Sequence, residues 1–111
     1  MIAINRQTIL GRVGTDPTVR FSDDGKVANF RVGTEDRYKN RSGELVKETE
    51  WFTVVAFGKL AEVAEQYVKK GARIYVEGVT KTRSWEKDGE KHYRTEVVAE
   101  HINLLEDKRN D

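Results

Sequence analysis

The chain has 111 residues, 20 Lys+Arg against 19 Asp+Glu, and a formal net charge of +1. That length holds one ordinary domain, can bury roughly 60–70% of its unfolded surface, and excludes a multi-domain enzyme. The absence of cysteine excludes disulfides and thiolate metal sites, no apolar run approaches the ~20 residues of a membrane span, and no signal peptide is visible after Met1.

Gln7 to Val13 reads as a strand, and Gly11 in its middle marks a bend or bulge. Gly14-Thr15-Asp16-Pro17 is a turn, and Val19 to Phe21 suits a short strand. Ser22-Asp23-Asp24-Gly25 has the Asp-Gly chemistry of a hairpin. Val27 to Glu35 alternates, with Ala28, Phe30 and Val32 on one side and Asn29 and Arg31 on the other. Asp36 to Val46 is polar and holds a Ser-Gly turn, so a loop is expected there. Lys47 to Phe57 is the strongest β segment, rich in β-branched and aromatic residues.

The period then changes. Leu60, Val63, Ala64, Tyr67 and Val68 recur at helical spacing and predict a helix over Lys59 to Lys70. Glu62 lies in its first turn, Lys69 and Lys70 in its last, and Gly71 supplies a stop. Arg73 to Trp85 is a long strand, Lys87-Asp88-Gly89-Glu90 a tight turn, and Lys91 to Ala99 the returning strand, with His101 to Leu105 as its extension. Residues 1–105 thus form one domain, and 106–111 a short flexible C-terminal end.

The order is β-β-β-α-β-β: an all-β chain with one helix, placed between strands three and four. Five antiparallel strands with a bent first strand fit the oligonucleotide/oligosaccharide-binding (OB) fold, a five-stranded, partly open Greek-key barrel. A plain α+β sandwich is the rival architecture.

Enzyme chemistry finds no support. His92 and His101 have no metal-ligand spacing, and no nucleophile elbow, phosphate loop or dinucleotide fingerprint occurs. The chain is therefore expected to be no enzyme and to carry no metal or cofactor. Aromatics and cations are more telling. Strand parity puts Trp51, Thr53, Val55 and Phe57 on one face, and Lys81, Arg83 and Trp85 on one side of the next long strand. Cations attract phosphates and release counterions, and flat rings stack on bases. Arg37, Tyr38, Lys39 and Arg41 repeat the mixture. Each group also has a plainer explanation. Trp51 and Phe57 suit a core, Lys81 and Arg83 a protected sheet edge, and the Arg37–Arg41 cluster a solvated loop. Their convergence where an OB barrel has its groove favours binding.

On these residues the chain resembles the bacterial and mitochondrial single-stranded DNA-binding proteins. The resemblance is carried by GRVGTDPTVRF (Gly11 to Phe21), TEWFTVVAFGKLAEVAEQYVKKG (Thr49 to Gly71), IYVEG (Ile74 to Gly78), KTRSW (Lys81 to Trp85) and YRTEVVAEHINLL (Tyr93 to Leu105). It implies an OB fold, sequence-independent binding and protection of single-stranded DNA during replication, recombination and repair, and a homotetramer built as a dimer of dimers. It also implies a bacterial, plasmid or phage setting at the nucleoid, or the mitochondrial matrix.

By the same resemblance the stacking aromatics are Trp51, Phe57 and Trp85, with Tyr38 where the family has a loop tryptophan. The basic groove positions are Arg6, Lys59, Lys70, Lys81 and Arg83. Arg31 joins them by alternation alone. Asn5 to Leu10 is the implied stretch for subunit pairing, and Phe52 replaces a family histidine near subunit contacts. Bacterial members usually continue into a Gly/Pro/Gln-rich linker with an acidic tip. Because this sequence runs only about six residues past Leu105, tail-mediated replication and repair partners are not expected. An OB-fold adaptor for protein or RNA is the alternative, and a small nuclease the third.

Overall fold

The computed structural model describes residues 1–23 and 25–105, so the expected flexible end at 106–111 lies outside the described residues. The order is β1 (Gln7–Val13), β2 (Thr18–Ser22), β3 (Gly25–Lys39), β4 (Leu45–Phe57), α1 (Lys59–Tyr67), β5 (Arg73–Lys87) and β6 (Glu90–Leu105). Six strands stand where five were expected, because Thr18–Ser22 pairs along its whole length with β3, from Thr18↔Asn29 to Ser22↔Gly25. The helix accordingly follows the fourth strand; without β2 in the count it follows the third.

The sheet order is β1-β5-β6-β4-β3-β2, and a further β1–β3 pairing brings it round into a barrel. Two seams are thin. β1 meets β3 only at Arg12↔Gly33 and Val13↔Val32, and β4 meets β6 in parallel only at Val54↔Val97 and Val55↔Val98. The result is the partly open OB barrel read from the strand order, not an α+β sandwich. Gly11 stands where β1 leaves β5 for β3. A Cβ there would lie inside the contact radius of the Gly33 carbonyl oxygen.

Alternation fills the interior as expected. Ala28, Phe30 and Val32 from β3 are buried with Ile9, Val54, Ile74, Val76 and Val97. α1 covers one end of this core, but by a different stripe from the one expected. Ala61, Ala64 and the following Val68 are buried, while Val63 and Tyr67 face outward. Small residues let the helix sit close against the strands. The helix also ends at Tyr67, not Lys70. Val68 turns extended (φ −80°, ψ 124°) and buries its side chain, so core packing overrides the helical propensity of the lysines behind it. Lys69 and Lys70 therefore do not occupy a last turn.

Lys26 on β3 donates to Glu65 on α1 at 2.6 Å. That carboxylate holds the Lys26 ammonium above its ordinary value. A lysine raised on folding stabilises below its unfolded pKa, and the contribution is lost as pH rises through the higher folded value.

Two long hairpins project from the barrel. β3 and β4 stay paired from Val27↔Phe57 to Lys39↔Leu45, so Arg37, Tyr38 and Lys39 belong to a strand and the expected loop shrinks to residues 40–44. Asn40 makes that short connection possible: its Oδ1 accepts from the backbone N–H of Ser42 and Glu44 at 3.0 and 2.9 Å. β5 and β6 close through Asp88 (φ 53°) and Gly89 (φ 80°), a two-residue turn of left-handed residues. Their ladder shifts between Glu77↔His101 and Gly78↔Ala99, leaving Glu100 as the extra residue of a bulge.

The β1–β3 seam gives a stability prediction. Gly11→Ala forces a methyl group against the Gly33 carbonyl and should destabilise the protein by about 1–3 kcal/mol. Urea unfolding of the variant against the parent measures it.

Candidate nucleic-acid interface

Cross-strand register decides which side chains share a surface, because paired residues point to the same face. On the β3–β4 ribbon the outward pairs are Val27↔Phe57, Asn29↔Val55, Arg31↔Thr53 and Gly33↔Trp51. On the β5–β6 ribbon they are Val79↔Val98, Lys81↔Glu96, Arg83↔Arg94 and Trp85↔His92. The Val55↔Val98 pair joins the two ribbons into one continuous face. Trp51, Phe57, Trp85, Arg31, Lys81 and Arg83 therefore lie together, as parity indicated. The three rings remain 46%, 42% and 46% exposed, so Trp51 and Phe57 are not core residues.

Trp51 has a built seat. Its six-membered ring lies against Gly14 and Gly33, where an added Cβ at Gly33 would approach Cζ3 to 2.7 Å. The Arg31 guanidinium sits 5.0 Å from the ring centroid, a cation–π contact that fixes the indole while the cation stays exposed. A cleft of about 430 Å³, lined by Leu10, Arg12, Glu35, Thr49 and Arg73 among others, borders the same ring. Trp85 stacks on His92, with centroids 5.6 Å apart and planes at 21°. His92, which had no role in the sequence, thus supports an aromatic of the groove.

Phe57 closes a small pocket with Arg20, Asn29, Arg83, Arg94 and Glu96. Glu96 is the one buried ionisable side chain among the described residues, at 2% exposure. Arg83 Nε donates to its Oε1 at 2.5 Å, and Arg94 Nε donates to its Oε2 at 3.1 Å.

The remaining expected residues are distributed elsewhere. Tyr38 pairs with Val46, on the opposite face of the ribbon from Trp51, and donates its hydroxyl to Glu48 at 3.1 Å. The neighbouring carboxylate favours the neutral phenol and raises its pKa. Arg6 precedes β1 and lies 3.7 Å from Glu77 of β5. Lys59 is exposed at the start of α1, two residues past Phe57. Lys70 is exposed beyond the helix, and its backbone N–H donates to Asp16 at 2.8 Å in the loop that begins with Gly14. Arg20, His92, Arg94 and Glu96 were missed. The signal that could have found His92 and Arg94 is the tight turn at Asp88-Gly89, which sets Trp85 opposite His92 and Arg83 opposite Arg94.

Among the described residues no group of three or more His, Asp or Glu is placed to hold a metal ion, and no helix is long and apolar enough to cross a membrane.

Barrel topology and this face together define an OB-fold domain with exposed rings and cations on one surface. The family model described as "Single-strand binding protein family" matches residues 4–105, and the chain belongs to that family. It is 42% identical over 105 residues to "Single-stranded DNA-binding protein 1" of Chlorobaculum tepidum, covering 92% of this chain and 65% of the relative. To "Single-stranded DNA-binding protein" of Rhizobium meliloti it is 45% identical over 105 residues, covering 91% of this chain and 60% of the relative. The chain thus spans less than two thirds of either relative's length. Among solved structures it is similar to a Plasmodium falciparum SSB in complex with ssDNA, with a TM-score of 0.86, 28% identity, and 96% and 98% of the two chains covered.

The seat of Trp51 is testable by itself. Gly33→Ala should displace the indole and change the near-ultraviolet circular dichroism, with the far-ultraviolet spectrum retained. An unchanged aromatic signal would mean that the ring does not depend on the bare backbone at Gly33.

Proposed function

We propose that this chain binds single-stranded DNA without reading its sequence, as a binding protein and not an enzyme. The observation that carries this reading is the single outward face holding Trp51, Phe57 and Trp85 among Arg31, Lys81 and Arg83. Bases stack on the three rings, and the cations follow the phosphates. Stacking contributes ~1–3 kcal/mol per base and tolerates every base, because each has a π-face. A duplex hides those faces, so preference for single strands follows from the same contacts. Lys59 beside Phe57 continues the basic track. Arg6 and Lys70 take the strand onward around the barrel, and Tyr38 offers a further ring on the β3–β4 arm.

The protein's role is to cover exposed strands during replication, recombination and repair. Both bacterial relatives named above support a setting at a bacterial nucleoid over an organelle. Assembly as a homotetramer, a dimer of dimers, uses β1. From Gln7 to Gly11 this strand is paired with β5 on one edge, while its β3 contacts begin only at Arg12. That leaves a backbone edge suited to a second copy. Asn5 is already engaged, its side-chain amide donating to and accepting from the backbone of Thr80 at 2.9 and 3.1 Å, so pairing centres on residues 7–10.

Titration with poly(dT) and with duplex DNA tests the class: saturable quenching of tryptophan fluorescence by the first alone, weakened by salt, is expected. Equal response to both, or to neither, contradicts the reading. Trp51→Ala and Trp85→Ala should each weaken binding to dT, dA and dC oligomers alike by about 1–3 kcal/mol. Lys81→Ala should reduce the slope of log K against log[salt] by about 0.7, the increment for one phosphate of a single strand.

A further inference from the structure

Glu96 is a carboxylate buried on the sheet face that carries Lys81, Arg83 and Arg94. An isolated buried carboxylate is strongly unfavourable, so its position requires both of its partners. It takes one arginine on each oxygen. Arg83 Nε approaches Oε1, while Arg94 Nε and Nη2 approach Oε2, the latter at 2.9 Å. Arg83 and Arg94 are direct register partners on β5 and β6. Two like charges placed opposite each other repel, and the carboxylate between them offsets this.

The partners are not used up by the contact. Their side chains remain 51% and 56% exposed. A guanidinium carries five N–H donors; Arg83 directs its Nε at Glu96, and Arg94 its Nε and one Nη. The other Nη donors belong to groups held at fixed positions on the groove face. Arg20 lines the same pocket beside Phe57, so three arginines and one glutamate border it. Held planar forks of this kind match the tetrahedral oxygens of a phosphate.

We propose that Arg94 is a phosphate-binding residue of the groove, and that Glu96 is a positioning residue holding Arg83 and Arg94 as one preformed fork for a backbone phosphodiester beside Phe57. The proposal rests on the single-strand reading above and adds a ligand contact and its support to it. Glu96 lies too deep to meet DNA itself. Its part is to keep two mobile side chains ordered before the strand arrives, which removes an entropic penalty from binding. A carboxylate that merely cancelled positive charge would have the opposite effect, since its removal would then strengthen binding.

That opposition supplies the test. Tryptophan quenching by a dT oligomer is titrated at several salt concentrations for the parent, Arg94→Ala and Glu96→Gln, with near-ultraviolet circular dichroism confirming the fold. Arg94→Ala should reduce the salt slope by about 0.7. Glu96→Gln adds a net positive charge, yet should bind about tenfold more weakly, because charge-assisted hydrogen bonds to both arginines are lost. Tighter binding by Glu96→Gln, or an unchanged slope in Arg94→Ala, overturns the proposal. Where Glu96→Gln does not fold, Arg94→Lys decides alongside Arg94→Ala. Restoration of the slope by lysine supports a phosphate contact, and no restoration overturns it. A parent protein that does not bind the oligomer overturns the underlying reading instead, so the two failures are distinguishable.

Discussion

The groove depends on a place where the chain has no side chain. β1 can leave β5 and reach β3 only because Gly11 passes against the Gly33 carbonyl without a Cβ. Gly33 then serves a second purpose on its other side, where it pairs with Trp51 and, with Gly14, gives the indole a flat floor. The same bare backbone that brings the barrel round also seats the Trp51 ring. Barrel closure and the seat of Trp51 therefore meet at one stretch of backbone, a methyl group at Gly11 disturbing the first and a methyl group at Gly33 the second.

From that point the face is assembled by register. Each hairpin is held by its own turn, Asn40 at one end and the Asp88-Gly89 pair at the other, and each turn fixes the parity of the residues behind it. The short parallel contact of β4 with β6 aligns the two parities, so that Trp51 and Phe57 from one ribbon share a surface with Trp85 from the other. Rigid strands place the rings; support by Arg31 and His92 orients two of them. Side chains held in this way lose little further freedom on any contact they make.

Much of this was legible in the sequence because period-two alternation is a local signal. The shared side of Ala28, Phe30 and Val32 and the shared side of Trp51 and Phe57 follow from it directly, and burial then shows the first to be inward and the second outward. What was not legible depends on distant contacts. Val68 leaves the helix to enter the core, which the lysines following it could not announce. The residues from Asp36 to Lys39 read as loop because they are polar, yet they stay in a strand through an arm whose short turn is held by Asn40. Family position offers Tyr38 as a further ring, and only the ladder shows that it lies on the face of that arm opposite Trp51. Arg94 and Glu96 became visible only through the ladder, which sets them opposite Arg83 and Lys81 across the β5–β6 turn.

Charge shows the same logic. With 20 cations and 19 anions, the total is nearly silent about a polyanionic partner. Anions such as Glu62 and Glu65 are carried by the helix at the barrel end, where Glu65 is occupied by Lys26. On the face of Trp51, Phe57 and Trp85, Glu96 is buried beneath two arginines that stay half exposed, so guanidinium and not that carboxylate meets the solvent. Screening limits exposed charges to a reach of about 8–10 Å near physiological salt, so a strand on this face responds to the local arrangement and not to the sum. Near-neutral net charge is thus compatible with a locally basic face, and it spares the fold the self-repulsion of a uniformly basic chain.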